Sequence, residues 1–121
     1  MRDVVIRSRF IYSSELALVE MATVFHRHLR EGHASLESID AAQRLFQLDQ
    51  QRQFWVITPV STEIVTLAAR IISGLPSHLL IRASDAIHLA TARHLGLTEV
   101  WTNDRRMLEA APAFGVTGRS V

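Results

Sequence analysis

Strand-like and helix-like segments alternate along this 121-residue chain, with only short connections between them. Residues 4–14, VVIRSRFIYSS, are rich in β-branched and aromatic side chains and predict at least one strand. Three later apolar segments predict further strands: FWVITPV at 54–60, TEVWT at 98–102 and GVTGRSV at 115–121. Strands that alternate with helices in this way predict an α/β domain with a parallel sheet covered by helices on both faces.

Helix-start residues precede each predicted helix. Ser13 or Ser14 caps a first helix that runs to about Arg30, and its side chains are apolar almost all round until Phe25. We expect such a helix to be buried on most sides. The later helices begin at Ser35 (amphipathic), at Ser61, within RASDAIHLATARHLG at 82–96, and within DRRMLEAA at 104–111.

The composition indicates one folded domain over residues 1–121. Apolar residues make up 48% of the chain and charged residues 21%, so a core can form and disorder is not expected. No apolar run reaches the ~20 residues that span a bilayer, and the N-terminus lacks the apolar block of a signal peptide. We therefore expect a cytoplasmic protein with no membrane partner.

The chain contains no cysteine, which excludes disulfides, thiolate catalysis and cysteine-based zinc sites. There is no lysine either, so all 13 basic residues are arginines, whose planar fork suits phosphate. The net charge of +1 is too small to indicate nucleic acid binding by itself. Any basic contact must come from a local group of arginines.

Two aspartates are placed where ligands bind in an α/β fold. Asp104 follows the strand EVWT, and Asp85 lies in the first turn of the helix at 82–96, so both belong at the carboxyl edge of the sheet. Taken singly, each is better explained as a helix cap or a helix-start charge. Taken together, their positions predict that the two carboxylates converge.

Glu20 is harder to explain as a surface residue, because it lies in LALVEMATV within the most apolar helix. A buried carboxylate must be paired, protonated or bound to a metal, since an uncompensated one costs several kcal/mol. An arginine from another part of the chain and a metal ion are equally good partners at this point.

Three carboxylates without cysteine or a histidine cluster favour a hard cation, Mg²⁺ or Mn²⁺. Such a site suits phosphoryl chemistry. The histidines are weaker candidates: His26, His28 and His33 are expected to be solvated, and His88, one turn after Asp85, to be a satisfied structural histidine.

Three phrases, SELALVE, ASDAIHLATARHLG and VWTNDRRMLEAAPAFGV, closely resemble the PIN-domain family, most of all the toxin ribonucleases of VapBC toxin–antitoxin modules. The resemblance implies a three-layer α/β/α sandwich with a parallel sheet and a Mg²⁺- or Mn²⁺-dependent endoribonuclease. It also implies single-stranded RNA as substrate, a cognate antitoxin as partner, and a homodimer. The family's metal-site acids carry over to Glu20, Asp85 and Asp104, and its Ser/Thr two residues before the last acid carries over to Thr102.

One departure from the family concerns its first strand, which carries an aspartate in a phrase like YLDTSALVKL. That phrase is absent, and Asp3, the only early aspartate, stands in a different context. We therefore expect three acids instead of four, weak metal binding, and slow or absent RNA cleavage unless such a strand is added. The segment VVIRSRF is expected to fill the resulting gap in the sheet, from its own chain or from a partner's. The alternative is a shortened gene product or a wrongly assigned start.

Three functional hypotheses remain open. In the leading one, a metal-dependent ribonuclease, Glu20, Asp85 and Asp104 hold the ion in one cleft. Arginines that flank the acids contact RNA phosphates in this hypothesis, and these are Arg82, Arg105 and Arg106. The second is a catalytically degenerate PIN-like module that binds RNA or an antitoxin peptide without cleavage. The third is a structural oligomerisation domain.

Overall fold

A computed structural model of the chain describes residues 5–7, 10–52 and 55–120. After an initial pair of strands, helical segments separate each strand from the next, two of them in each interval. In chain order the elements are β1 (Val5–Arg7), β2 (Phe10–Ser14), α1 (Leu16–Arg30), α2 (Leu36–Gln51), β3 (Trp55–Thr58), α3 (Thr62–Ser73), α4 (Ala83–His94), β4 (Glu99–Trp101), α5 (Arg105–Ala110), a 3₁₀ turn (Ala111–Phe114) and β5 (Thr117–Arg119). Every strand and helix predicted above is present among them.

The strands form two small sheets among the described residues, in the orders β1-β2-β3 and β4-β5. The pairs β2/β3 and β4/β5 are parallel, which confirms the predicted strand direction for these four. The pair β1/β2 is antiparallel, with Ile6 opposite Ile11. Hence the sheet is not parallel throughout, because residues 7 and 10 are too close in sequence for the crossover that parallel neighbours need.

The N-terminal strand lies beside strands of both sheets. β1 pairs with β2 by hydrogen bonds and also runs next to β4 of the other sheet. Val5–Arg7 thus extends the sheet of β2 and β3 and lies next to β4, without joining the two sheets by hydrogen bonds among the described residues. Residues 4, 8 and 9 of the same predicted segment lie outside the described residues, as does Asp3.

The core forms around α4, which packs against α3, β2 and β4. Alanines along α4 allow close approach of its neighbours, and seven of its residues are buried. The largest apolar side chains around it that are almost fully buried are Ile64, Leu89, Val100, Met107 and Phe114. This helix is therefore the rigid element on which the carboxyl edge of the strands is built.

Side-chain caps confirm most of the predicted helix starts. Ser35 and Ser61 each accept a hydrogen bond from the backbone three residues later, as N-caps do. For α1 the cap position is Glu15, and Ser14 Oγ accepts from the Leu16 N–H at 3.1 Å. Glu15 also accepts from the Val60 N–H at 2.6 Å, which ties the start of α1 to the end of β3.

The expectation that α1 is buried on most sides is wrong. Its one buried residue is Ala17, whereas Val19 is 66% exposed. Leu18, Val24 and Leu29 are exposed as well. The apolar composition of a helix cannot decide its burial, because burial also requires another element to pack against each face. Here α1 contacts mainly β2, at its own N-terminal end.

None of the described helices is long and apolar enough to cross a bilayer.

Candidate acidic site at the carboxyl edge of the strands

The α4 helix places Asp85 and His88 one turn apart on the same side of the helix, since their spacing is i, i+3. Both are almost completely buried, at 2% and 4% exposure. Asp85 lies in the first turn, where the helix dipole favours its charge. A carboxylate this deeply buried needs a cation or several hydrogen bonds.

Asp104 is a helix cap and faces the site at the same time. Its Oδ1 accepts from the backbone N–H groups of Arg106 at 2.8 Å and Met107 at 3.3 Å, which caps α5. Its Oδ2 points towards Arg82. Asp104 thus acts as a helix cap through Oδ1 and faces the acidic site through Oδ2.

Thr102 fixes the backbone position of Asp104 by a hydrogen bond. It is 1% exposed, and its Oγ1 accepts a hydrogen bond from the Asp104 N–H at 3.0 Å. Its own backbone N–H donates to the Arg119 carbonyl of β5 at 2.9 Å. Thr102 thus holds the turn that leads from β4 to the carboxylate.

A single guanidinium joins the two aspartates. Arg82 Nε donates to Asp85 Oδ2 at 3.0 Å, and Arg82 Nη2 donates to Asp104 Oδ2 at 2.5 Å. The aspartates are 19 residues apart in the sequence and share this cation because β4 returns the chain to the start of α4. The side chain of Arg82 is 59% exposed, so the cation approaches the two carboxylates from the solvent side.

Glu20 reaches the same region from α1. Its Oε1 is hydrogen-bonded to His88 Nε2, across 68 residues of sequence. The expectation that Glu20 is a buried carboxylate is wrong, because its side chain is 40% exposed. Its partner is a histidine and not an arginine. Glu20 therefore contacts α4 at His88, one turn after Asp85, whereas Asp85 and Asp104 are both bonded to Arg82.

A small cavity lies behind His88, lined by residues of β2, α4 and β4. Two polar atoms in this region, Ser13 Oγ and His88 Nδ1, are buried without a hydrogen-bond partner among the described residues. The expectation of a satisfied histidine is met at Nε2, by Glu20, whereas Nδ1 has no protein partner among the described residues. Ser13 is only 2% exposed, so its hydroxyl is closed to a substrate.

The remaining candidate arginines lie on α5. Arg105 pairs with Glu109 at 3.1 Å, and the Arg105 side chain is 90% exposed. Arg106 is exposed as well, beside the Asp104 cap. Both guanidinium groups are thus accessible next to the acids, while Arg82 is engaged with the acids themselves.

The donor set fits a hard divalent cation in part. Asp85 and Asp104 already direct one oxygen each at a shared positive charge, and carboxylate oxygens are the ligands that Mg²⁺ and Mn²⁺ prefer. Within residues 5–7, 10–52 and 55–120, however, no three acidic or histidine side chains are grouped closely enough to hold an ion. Binding by all three acids would therefore require the carboxylates of Glu20, Asp85 and Asp104 to move closer together.

The fold and the acids define an α/β protein with an acidic site at the carboxyl edge of its strands. The family model described as PIN domain matches residues 2–112, and the chain belongs to this family. PIN domains have a three-layer α/β/α fold, which confirms the predicted fold class, and they are generally metal-dependent nucleases. The chain matches no curated protein and no solved structure.

Two features of the site were missed from the sequence. For Arg82 the sequence suggests a phosphate contact or a solvated helix end, although its spacing of i, i+3 from Asp85 is that of a helix ion pair. The sequence places His88 one turn after Asp85 but predicts only a structural role for it. The contact of His88 with Glu20 joins distant residues, so no local pattern indicated it.

Proposed function

We propose that this chain is a Mg²⁺- or Mn²⁺-dependent endoribonuclease of the toxin type found in VapBC modules, acting on single-stranded RNA. The observation that carries the proposal is the convergence of Asp85 and Asp104 on one cation, in a chain of the PIN family. Family membership supplies the class, a metal-dependent nuclease. The substrate, the metal and the toxin role are supported by the resemblance of the three phrases quoted above.

In this proposal Glu20, Asp85 and Asp104 are the catalytic acids and metal ligands. A bound Mg²⁺ or Mn²⁺ would supply activated water and stabilise charge on the phosphate. Thr102 keeps Asp104 at the end of β4, through the hydrogen bond that it accepts. Arg105 and Arg106 are the accessible cations for RNA phosphates.

Arg82 has two roles in the proposal. In the chain without metal, its guanidinium neutralises Asp85 and Asp104. With a divalent cation on these carboxylates, Arg82 would turn towards solvent, where its guanidinium would be able to contact a phosphate. Because the ion must displace this internal cation, we expect weak metal binding and slow cleavage.

The proposal is tested with the full chain, a labelled single-stranded RNA, and either Mn²⁺, Mg²⁺ or EDTA. We expect slow cleavage that requires added metal and stops with EDTA, because the acids alone cannot activate water. Binding of Mn²⁺ is followed in parallel by electron paramagnetic resonance. Cleavage that continues in EDTA would contradict the proposal.

A degenerate, non-cleaving PIN-like module is the second candidate function. The observation that favours it is the pairing of all three acids within the chain, two with Arg82 and one with His88. Such a protein would bind RNA or an antitoxin peptide without cutting. RNA binding that needs no metal, together with no Mn²⁺ binding, would support this candidate and exclude the first.

The proposed partners are a cognate antitoxin and a second copy of the chain, within the cytoplasm. The exposed apolar side chains of α1 support an interface, because several large apolar side chains on one helix are costly to leave in water. In the proposed homodimer this helix packs against its symmetry-related copy. We define its α1 surface by Leu18, Val19, Val24 and Leu29.

We expect the chain to sediment as a dimer or higher oligomer at micromolar concentration. Val19→Glu should weaken this association at least ~10-fold, because an unpaired charge would be buried in the interface. Leu80→Glu, which changes an exposed apolar residue outside α1, is the matched control and should have no effect. A monodisperse monomer at high concentration would refute the dimer.

A further inference from the structure

Glu20 is the least supported of the three acids. Asp85 is buried in the first turn of α4, and Asp104 is fixed by its cap and by Thr102. Glu20 is half exposed on a helix with a single buried residue, Ala17. Within the described residues, its carboxylate has one hydrogen-bond partner, His88 Nε2. The orientation of Glu20 therefore depends on the histidine.

His88 is well placed to fix another side chain. It belongs to α4, the helix with the largest number of buried residues among those described, and is itself 4% exposed. The side chain has little room to change its rotamer in such a packed environment. Since Asp85 lies one turn earlier on the same helix, the backbone of α4 sets the position of Asp85 and, through His88, that of Glu20.

The other ring nitrogen of His88 faces the core. His88 Nδ1 and Ser13 Oγ are both buried near one cavity, without a partner among the described residues. Two such atoms are costly to leave unsatisfied. The cavity that both residues line is mainly apolar and has room for about one water molecule, which these two atoms would hold by hydrogen bonds. A water between them can donate to Nδ1 and accept from the serine hydroxyl.

We propose that His88 is a positioning residue that holds the Glu20 carboxylate towards Asp85, and that one internal water shared with Ser13 holds the His88 ring. Nε2 carries the proton directed at Glu20, and Nδ1 accepts from the water. The consequence for metal binding rests on the proposed function, whereas the link between Ser13, His88 and Glu20 does not. Outer-shell partners of this kind commonly change metal affinity 10- to 100-fold.

The metal-binding experiment compares four full-length chains by Mn²⁺ titration with electron paramagnetic resonance. We expect His88→Leu to bind Mn²⁺ about 10-fold more weakly than the wild type, and His88→Gln to recover part of the affinity because its amide can donate to Glu20. Thr91→Val is the matched control. Thr91 lines the same cavity one turn later, but its hydroxyl donates to the Ile87 carbonyl at 2.7 Å. Equal affinity of His88→Leu and wild type would overturn the positioning role.

The second experiment needs no metal. The ¹⁵N resonances of the His88 imidazole report which nitrogen carries the proton, and we expect the Nε2–H form in the wild type. Glu20→Gln should shift the Nε2 resonance, whereas Glu15→Gln, on the same helix with its carboxylate bonded to Val60, should not. If Glu20→Gln leaves the resonance unchanged, the link itself is wrong. If the wild type binds no Mn²⁺ but the resonance shifts, the proposed function fails and the link stands.

Ser13→Ala separates a water-linked serine from an isolated one. With a shared water, the substitution removes one of its partners, so the Nδ1 resonance should move and the melting temperature should fall. If Ser13 Oγ were simply unsatisfied, its removal would raise the melting temperature and leave His88 unchanged. The second result would overturn the water link.

Discussion

Replacing Asp85 with asparagine is expected to lower Mn²⁺ affinity at least ~100-fold and to abolish metal-dependent RNA cleavage. A direct ligand should matter more than an outer-shell residue, for which about 10- to 100-fold is typical. The substitution preserves size and removes only the charge. Because Asp85 is 2% exposed, solvent cannot replace the lost carboxylate.

The fold should survive Asp85→Asn, since an amide oxygen can still accept from Arg82 Nε. Circular dichroism and thermal melting check this. Glu99→Gln is the matched control, an isosteric loss of charge at the start of β4, where Glu99 pairs with Arg119 at 3.1 Å. It lies at the strand end remote from Asp104 and should bind Mn²⁺ as the wild type does. An Asp85→Asn protein with wild-type metal affinity would remove Asp85 from the site.

Replacing Arg82 with alanine should have opposite effects on stability and on metal affinity. Without metal, Asp85 and Asp104 lose their shared cation, and we expect the free energy of unfolding to fall by about 1–3 kcal/mol. The lower half of this range is favoured, because the guanidinium is 59% exposed and partly screened by solvent. Mn²⁺ affinity should rise about 10-fold, because the ion no longer displaces an internal cation.

At a given Mn²⁺ concentration, Mn²⁺ should therefore raise the melting temperature more in Arg82→Ala than in the wild type, since a ligand that binds more tightly stabilises the folded state more. Thermal melting with increasing Mn²⁺ measures this. Arg105→Ala is the control: its partner is Glu109 and its side chain is 90% exposed, so stability should change by less than about 0.5 kcal/mol. Weaker Mn²⁺ binding in Arg82→Ala would show that Arg82 supports the ion instead of competing with it.

Local residue patterns determined the secondary structure and the chemistry of the site. Ser35 and Ser61 marked helix starts because a cap involves only a side chain and the backbone three residues later. The carboxylates of Asp85 and Asp104 were placed at one edge because that edge follows from strand–helix order. Family membership was also readable from three short phrases, and the match over residues 2–112 agrees with them.

Other properties of the site depend on contacts between distant parts of the chain. Arg82 meets Asp104 across 22 residues, and His88 meets Glu20 across 68. The sequence offered candidate ions but no means of assigning them to one another. Which charged side chains pair depends on which strands and helices lie next to one another in the fold. The tertiary structure was therefore needed to identify the pairs.

By itself, the sequence determined where strands and helices form, which acids face the carboxyl edge, and the family to which the chain belongs. The tertiary structure decided that β1 runs antiparallel beside β2 and that α1 is exposed despite its apolar side chains. It also decided that Arg82 and His88 are the immediate partners of the acids. The physical reason is that capping and strand propensity act over a few residues. Burial and charge pairing depend on which segments, far apart in the chain, pack together.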